Sequence, residues 1–152
     1  MTNGYQSVFN LNKLLQRNPT NLTVSNGFFN NGVPSFSISN NQELERIVIG
    51  NECFGSVRSF ELNGLSELEN IVIGQKSFTY AKTGSDVWDS KRSDGLYRIV
   101  NCPKLQSIQI DMFSFSDYHS FELNNLPSLQ SIDMGHQCFY YAPVFSLTGW
   151  MN

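Results

Sequence analysis

The sequence predicts a mainly β solenoid of about five to six coils, each built from two short parallel strands. Three observations predict it. Two short apolar patterns, L-x-x-I-x-I and F-x-L-x-x-L, alternate along the chain; their copies recur at a 24-residue spacing; and a Phe stands at the same place between them in each copy. Self-similarity at a fixed period of this length marks an array of stacked units and overrides local readings of secondary structure.

The first pattern occurs as Leu44/Ile47/Ile49, Leu68/Ile71/Ile73, Leu105/Ile108/Ile110 and Leu129/Ile132/Met134. The second occurs as Phe60/Leu62/Leu65, Phe121/Leu123/Leu126 and Phe145/Leu147/Trp150, with a looser copy at Tyr97/Ile99/Cys102. Leu44 and Leu68, Leu105 and Leu129, and Phe121 and Phe145 are each 24 residues apart, whereas Leu68 and Leu105 are 37 apart, one unit plus an insertion of 13. Degraded copies precede these: Leu22-x-Val24 followed by Phe28-Phe29, then Phe36/Ile38. Earlier still, Phe9/Leu11/Leu14 in VFNLNKLL reads as one more F-x-L-x-x-L half, with a short helix over Leu11 to Gln16 capping the first coil as the alternative. The chain 1–152 is therefore read as one repeat domain, with a half-repeat or cap at 1–19, repeats over 20–150 and an insertion loop at 80–94.

Each half reads as a strand of three or four residues, because alternate positions are apolar and filled by β-branched or aromatic side chains. The Phe between halves is Phe29, Phe54, Phe78, Phe115 or Phe139. After the second strand come Asn63-Gly64, Asn124-Asn125 and Thr148-Gly149, residue types that tolerate a left-handed turn. Stacked coils would set each Ile, Leu and Phe about 4.8 Å from its equivalent, and burying each aromatic side chain contributes about 1.5–3 kcal/mol.

The composition agrees. Charged residues make up 15% of the chain and hydrophobic residues 40%, while Asn, Ser and Gly supply the many turns. Ten basic and thirteen acidic residues give a net charge of −3 with no basic cluster, which argues against a nucleic-acid surface. No apolar run is long enough to cross a membrane as a helix. The opening MTNGYQSVFN lacks a basic segment followed by an apolar one, so no signal peptide is read there. One glycosylation sequon, Asn21-Leu22-Thr23, is present.

These units resemble leucine-rich repeats, and the second strand resembles the BspA-like branch. The resemblance covers roughly residues 20–150 and rests on the L-x-x-I-x-I-G strand motif followed by a turn and Phe. It departs from the common pattern in carrying Gly50, Gly74 and Gly135 where an Asn is usual at the turn. The resemblance implies a right-handed leucine-rich-repeat solenoid, binding or adhesion to proteins, and a cell-surface or secreted setting; it implies no shared catalytic residues. It also implies that the outward residues of the first strands, Val48, Val72, Gln109 and Asp133, form the surface that meets a partner.

Few residues suggest chemistry. Cys53, Cys102 and Cys138 fit neither a disulfide framework nor a paired zinc signature, and read as buried small side chains. His136 lies two residues before Cys138 without a third group to orient the pair, and His119 falls in a turn; no catalytic, cofactor or metal site is expected. Glu61, Arg98 and Glu122 occupy the same position in successive copies and are expected to stack as a ladder of alternating charge. Within the insertion, Trp88 and Arg92 form a candidate partner anchor. Two functions follow as expectations: a non-enzymatic protein-binding or adhesion module using the solenoid faces and the 80–94 loop, or a structural protein self-assembling head-to-tail. In the second case Leu11 and Leu14 at one end would meet Trp150 and Met151 at the other.

Overall fold

The ladder Phe residues set the shape of every coil. In the computed structural model, which describes residues 8–79, 95–140 and 144–148, Phe29, Phe54, Phe78, Phe115 and Phe139 all have left-handed backbones, with φ between 53° and 61°. A bulky residue in that region is strained by about 1–2 kcal/mol. The strain is offset because the corner turns each ring inward, where it is buried at 4% exposure or less and stacks on its neighbours. Centroid separations along this column are 5.1, 4.9, 4.6 and 5.1 Å, with interplanar angles of 10° or less. Burial and stacking together outweigh the backbone term. The corner is also held by the main chain: Phe54 N–H donates to the Phe28 carbonyl (3.1 Å), Phe78 N–H to Cys53 (2.8 Å) and Phe115 N–H to Ser77 (3.0 Å).

On either side of each corner lies one strand. The first strands are β1 (Asn21–Val24), β3 (Arg46–Ile49), β5 (Asn70–Ile73), β7 (Ser107–Ile110) and β9 (Ser131–Met134). They form a parallel sheet in that order, here sheet A. The second strands are β2 (Ser35–Ser39), β4 (Ser59–Asn63), β6 (Leu96–Val100), β8 (Ser120–Asn124) and β10 (Val144–Thr148), and they form parallel sheet B. Five rungs, β1 with β2 through β9 with β10, make a β-solenoid of about four turns, slightly fewer than the five to six coils expected.

Register is unbroken in both sheets. Ile47 pairs with Leu22 and Ile71, and Ile71 with Ile108, which pairs with Ile132. Phe60 pairs with Phe36 and Tyr97, and Tyr97 with Phe121. The burial pattern of β1, β3, β5 and β7 alternates strictly, so one side of each strand enters the core. The sheet B aromatics form a second stacked column, Phe36, Phe60, Tyr97 and Phe121, at 4.9–5.1 Å. This column meets the corner column edge to face, as in Phe60–Phe78 at 5.2 Å and 86°. The core is thus two interlocked aromatic columns flanked by aliphatic ones.

Glycine at the turn after the first strand has a steric cause. A Cβ on Gly74 would lie 2.7 Å from the Gly50 carbonyl carbon and collide with the Asn51 amide oxygen, and one on Gly135 would lie 2.7 Å from Met112 N. At these glycines the preceding rung occupies the space a Cβ would need, whereas the equivalent turn after β7 carries Asp111. The left-handed turns expected after sheet B occur at Gly64 (φ 73°) and Asn125 (φ 59°), and also at Asn40 and Asn101.

Residues Val8–Gln16 form a helix, α1, rather than a strand half. Leu11 and Leu15 lie at helical spacing, one turn apart, and both join the core cluster. Among the described residues no helix is long and apolar enough to cross a membrane.

The insertion itself, 80–94, lies outside the described residues, but its flanks keep register: β5 pairs with β7 and β4 with β6 across the 37-residue step. On its far side Tyr118 is fully buried and its hydroxyl donates to the Val57 carbonyl (2.8 Å), two rungs back. Gly95 makes room for it, since a Cβ there would sit 2.9 Å from Tyr118 Cα.

Candidate functional site

The outward side of sheet A brings together the four residues expected to meet a partner. Val48 pairs with Val72, Val72 with Gln109 and Gln109 with Asp133, so they form one column across the sheet. Thr23 begins the same column by pairing with Val48. Sequence reasoning missed Thr23 because its copy of the motif is degraded; its alternation with buried Leu22 and Val24 was the available signal. Val48 and Val72 are half-buried, and Thr23, Gln109 and Asp133 are exposed. An apolar pair therefore sits between polar ends.

A second outward column runs beside it: Asn21, Arg46, Asn70, Ser107 and Ser131. Asn70 Nδ2 donates to Ser107 Oγ at 2.7 Å, fixing two of its members. At its margin Lys104 Nζ pairs with Glu67 Oε1 at 2.8 Å, and Ser128 Oγ donates to the Pro103 carbonyl at 2.6 Å. The face carries hydrogen-bonding groups, the charged Arg46 and Asp133, and two valines.

Sheet B presents the expected charge ladder. Arg98 Nη1 donates to Glu61 Oε2 at 2.6 Å and Nε to Glu122 Oε1 at 2.9 Å. Both carboxylates belong to directly paired residues of adjacent strands. The hydrogen bond that Arg98 donates to Glu61 raises the guanidinium above its ordinary value; burial opposes this, and the bond donated to Glu122 and the two negative charges add to the rise. Arg98 thus has no spare charge to offer a ligand.

The cysteines stand inside a column of small hydrogen-bonding side chains, Cys53, Ser77, Ser114 and Cys138. Ser77 Oγ donates to the Gly50 carbonyl (2.8 Å) and Ser114 Oγ to Gly74 (2.6 Å), while Cys53 Sγ donates to Ser25 (3.1 Å) and Cys138 Sγ to Asp111 (3.0 Å). Each hydroxyl or thiol ties its rung to the previous one. Two serine rungs separate Cys53 from Cys138, and all three cysteines are free. Burial pushes the Cys138 thiol up to about 11 from 9.0, and raises Cys53 and Cys102 as well. A thiol raised in this way is protonated at neutral pH and a poor nucleophile. His136 is exposed and makes no hydrogen bond with Cys138. Among the described residues no group of three His, Cys, Asp or Glu side chains is placed to hold a metal ion.

Trp88, Arg92, Trp150 and Met151 lie outside the described residues, as does the side chain of Leu14. Leu11, expected at an end-to-end contact, is 3% exposed and packed in its own core. On the β9–β10 rung Met134 is 37% exposed and Leu147 47%, although both occupy core positions of the repeat. No protein-family model matches the chain, and neither the curated proteins nor the solved structures compared with it give a match.

Proposed function

We propose that the chain is a non-enzymatic protein-binding or adhesion module of leucine-rich-repeat type, whose recognition surface is the outer face of sheet A. The observation that carries this reading is the in-register column Thr23–Val48–Val72–Gln109–Asp133. It has the layout of a protein contact, an apolar centre with a polar rim, on a sheet whose strands are held rigid by two interlocked aromatic columns. The test is site-directed photocrosslinking in an extract of the source cells, with the photoreactive group at Gln109 on sheet A or at Ser37 on sheet B. A discrete adduct from Gln109 that disappears with Val48→Lys plus Val72→Lys, and is absent from Ser37, is the expected result. Equal labelling from the two faces rejects the reading.

Self-association is the second reading, and the exposed core positions Met134 and Leu147 favour it. Because α1 packs against the first rung, the contact joins the last rungs of two copies, a closed two-fold arrangement rather than the head-to-tail filament expected from the sequence. Sedimentation equilibrium decides it: a dimer that Leu147→Asp converts to monomer supports the reading, and a strict monomer at micromolar concentration removes it.

A further inference from the structure

We propose that Asn31 is a site of spontaneous deamidation, distinguished by its place in the fold from two other asparagines in the same dipeptide. Asn-Gly occurs at Asn26-Gly27, Asn31-Gly32 and Asn63-Gly64 within the described residues, and once more at Asn3-Gly4 outside them. In an Asn-Gly dipeptide the following peptide nitrogen attacks the side-chain amide carbon without obstruction from a Cβ. The reaction needs that nitrogen free, the amide free to rotate, and room to close a five-membered ring.

The repeat withholds the first two at both of the other sites. Gly27 N–H donates to the Asn51 carbonyl (2.9 Å) while Asn26 Oδ1 accepts from Asn51 N–H (2.8 Å). Gly64 N–H donates to the Val100 carbonyl (3.1 Å) while Asn63 Oδ1 accepts from Asn101 Nδ2 (3.1 Å). In both, the attacking nitrogen and the amide under attack are held by the next rung.

Asn31-Gly32 escapes because the first rung is one residue longer at this corner. The ladder Phe29 is four residues before buried Val33, whereas Phe54 is three before Val57 and Phe115 three before Tyr118. The surplus residue loops outward. Asn31 and Gly32 are exposed and neither makes a hydrogen bond among the described residues; the space beside Gly32 is open, as it is beside Gly27, so the missing hydrogen bonds make the difference. The neighbouring Asn30 shows the contrast: its Nδ2 donates to the Gly27 and Glu52 carbonyls and its Oδ1 accepts from Gly55 N–H.

The chemistry balances without any partner molecule but water. The deprotonated Gly32 nitrogen bonds to Asn31 Cγ, the Cγ–NH2 bond breaks, and ammonia leaves with the proton. Water then opens the resulting succinimide at either carbonyl, giving Asp or isoaspartate at position 31. The chain becomes one unit more negative than its formal −3.

The test is peptide mapping by mass spectrometry, with isoaspartyl peptides resolved, after incubation of the folded chain at mildly alkaline pH and in parallel in denaturant. In the folded chain, conversion at Asn31 is expected about tenfold faster than at Asn26 or Asn63, the factor set by breaking a hydrogen bond of ordinary strength. In denaturant the three rates converge, because the dipeptide alone then sets them. Equal rates at the three sites in the folded chain, or conversion in denaturant with none at Asn31 when folded, overturns the proposal.

Discussion

The two ends of the solenoid carry equivalent rungs in opposite surroundings. At the first, Leu22, Val24, Phe36 and Ile38 are 0–5% exposed, with Leu11 of α1 buried against the same core. At the last, the matching residues Ile132, Met134 and Leu147 are half-buried, 37% and 47% exposed. Residue type does not account for the difference. In a one-dimensional stack a side chain is buried by the next floor, whether that floor is another coil or a helix, so burial belongs to the position and not to the sequence motif.

The largest effect expected from this contrast is in truncation at the two ends. Leu11→Ala is expected to lower unfolding free energy by about 2–5 kcal/mol, and Leu147→Ala by about 0.5 kcal/mol or less; urea titration of both measures the gap, and equal losses would break the comparison. Next comes the glycine turn. Gly74→Ala forces a Cβ against the Gly50 main chain and is expected to destabilise by about 1–3 kcal/mol. Gly135→Ala, on a rung with freedom to shift outward, is expected to lose less by the same titration.

A third effect has the opposite sign. Tyr97 stands among phenylalanines in the sheet B column, and its buried hydroxyl has no hydrogen-bond partner among the described residues. Burial pushes the Tyr97 phenol pKa well above its ordinary value, Cys138 adding to the effect. Tyr97→Phe is expected to leave the melting temperature unchanged or raise it, by up to about 1 kcal/mol in stability. Smaller again is the charge ladder: Arg98→Glu sets three like charges in a row and is expected to lower the melting temperature, each lost pair contributing about 0.2–1 kcal/mol.

The smallest effect is alkaline. Below pH 9 the Cys138 thiol is protonated whether the chain is folded or not. Between 9.0 and about 11 the unfolded chain gives up the proton and the folded one keeps it, so the unfolded state binds fewer protons and stability falls as pH rises. Cys138→Ser, which copies the residue on the two preceding rungs, is expected to shallow that decline in urea midpoints without abolishing it, since Cys53, Cys102 and Tyr97 are raised as well.

Much of the scaffold was legible because translation along the axis converts sequence spacing directly into contact. Leu68 and Leu105 could be aligned across the insertion, and Glu61, Arg98 and Glu122 could be assigned to one column, from offsets alone. The column Val48, Val72, Gln109 and Asp133 was legible for the same reason. What offsets do not report is the backbone conformation that brings a side chain inward, so the left-handed corners at Phe54 or Phe78 were invisible in residues that rarely adopt them. Nor do they report reach between non-neighbouring rungs, as in Tyr118 to Val57. Phe9, Leu11 and Leu14 left a strand half and a helical cap both open because three apolar residues fit two periodicities; the helix forms and places Leu11 in the core.

The unbroken register across the 37-residue step has a consequence for how this architecture changes length. Deleting one whole coil leaves each surviving floor facing an equivalent of the one it lost, and adding surplus chain at a corner leaves the floors untouched. Removing a single residue from inside a strand does neither, because it exchanges inward and outward side chains along the rest of that rung. Growth and shrinkage by complete units, with elaboration confined to the bends, is the only easy route open to a molecule that repeats by translation.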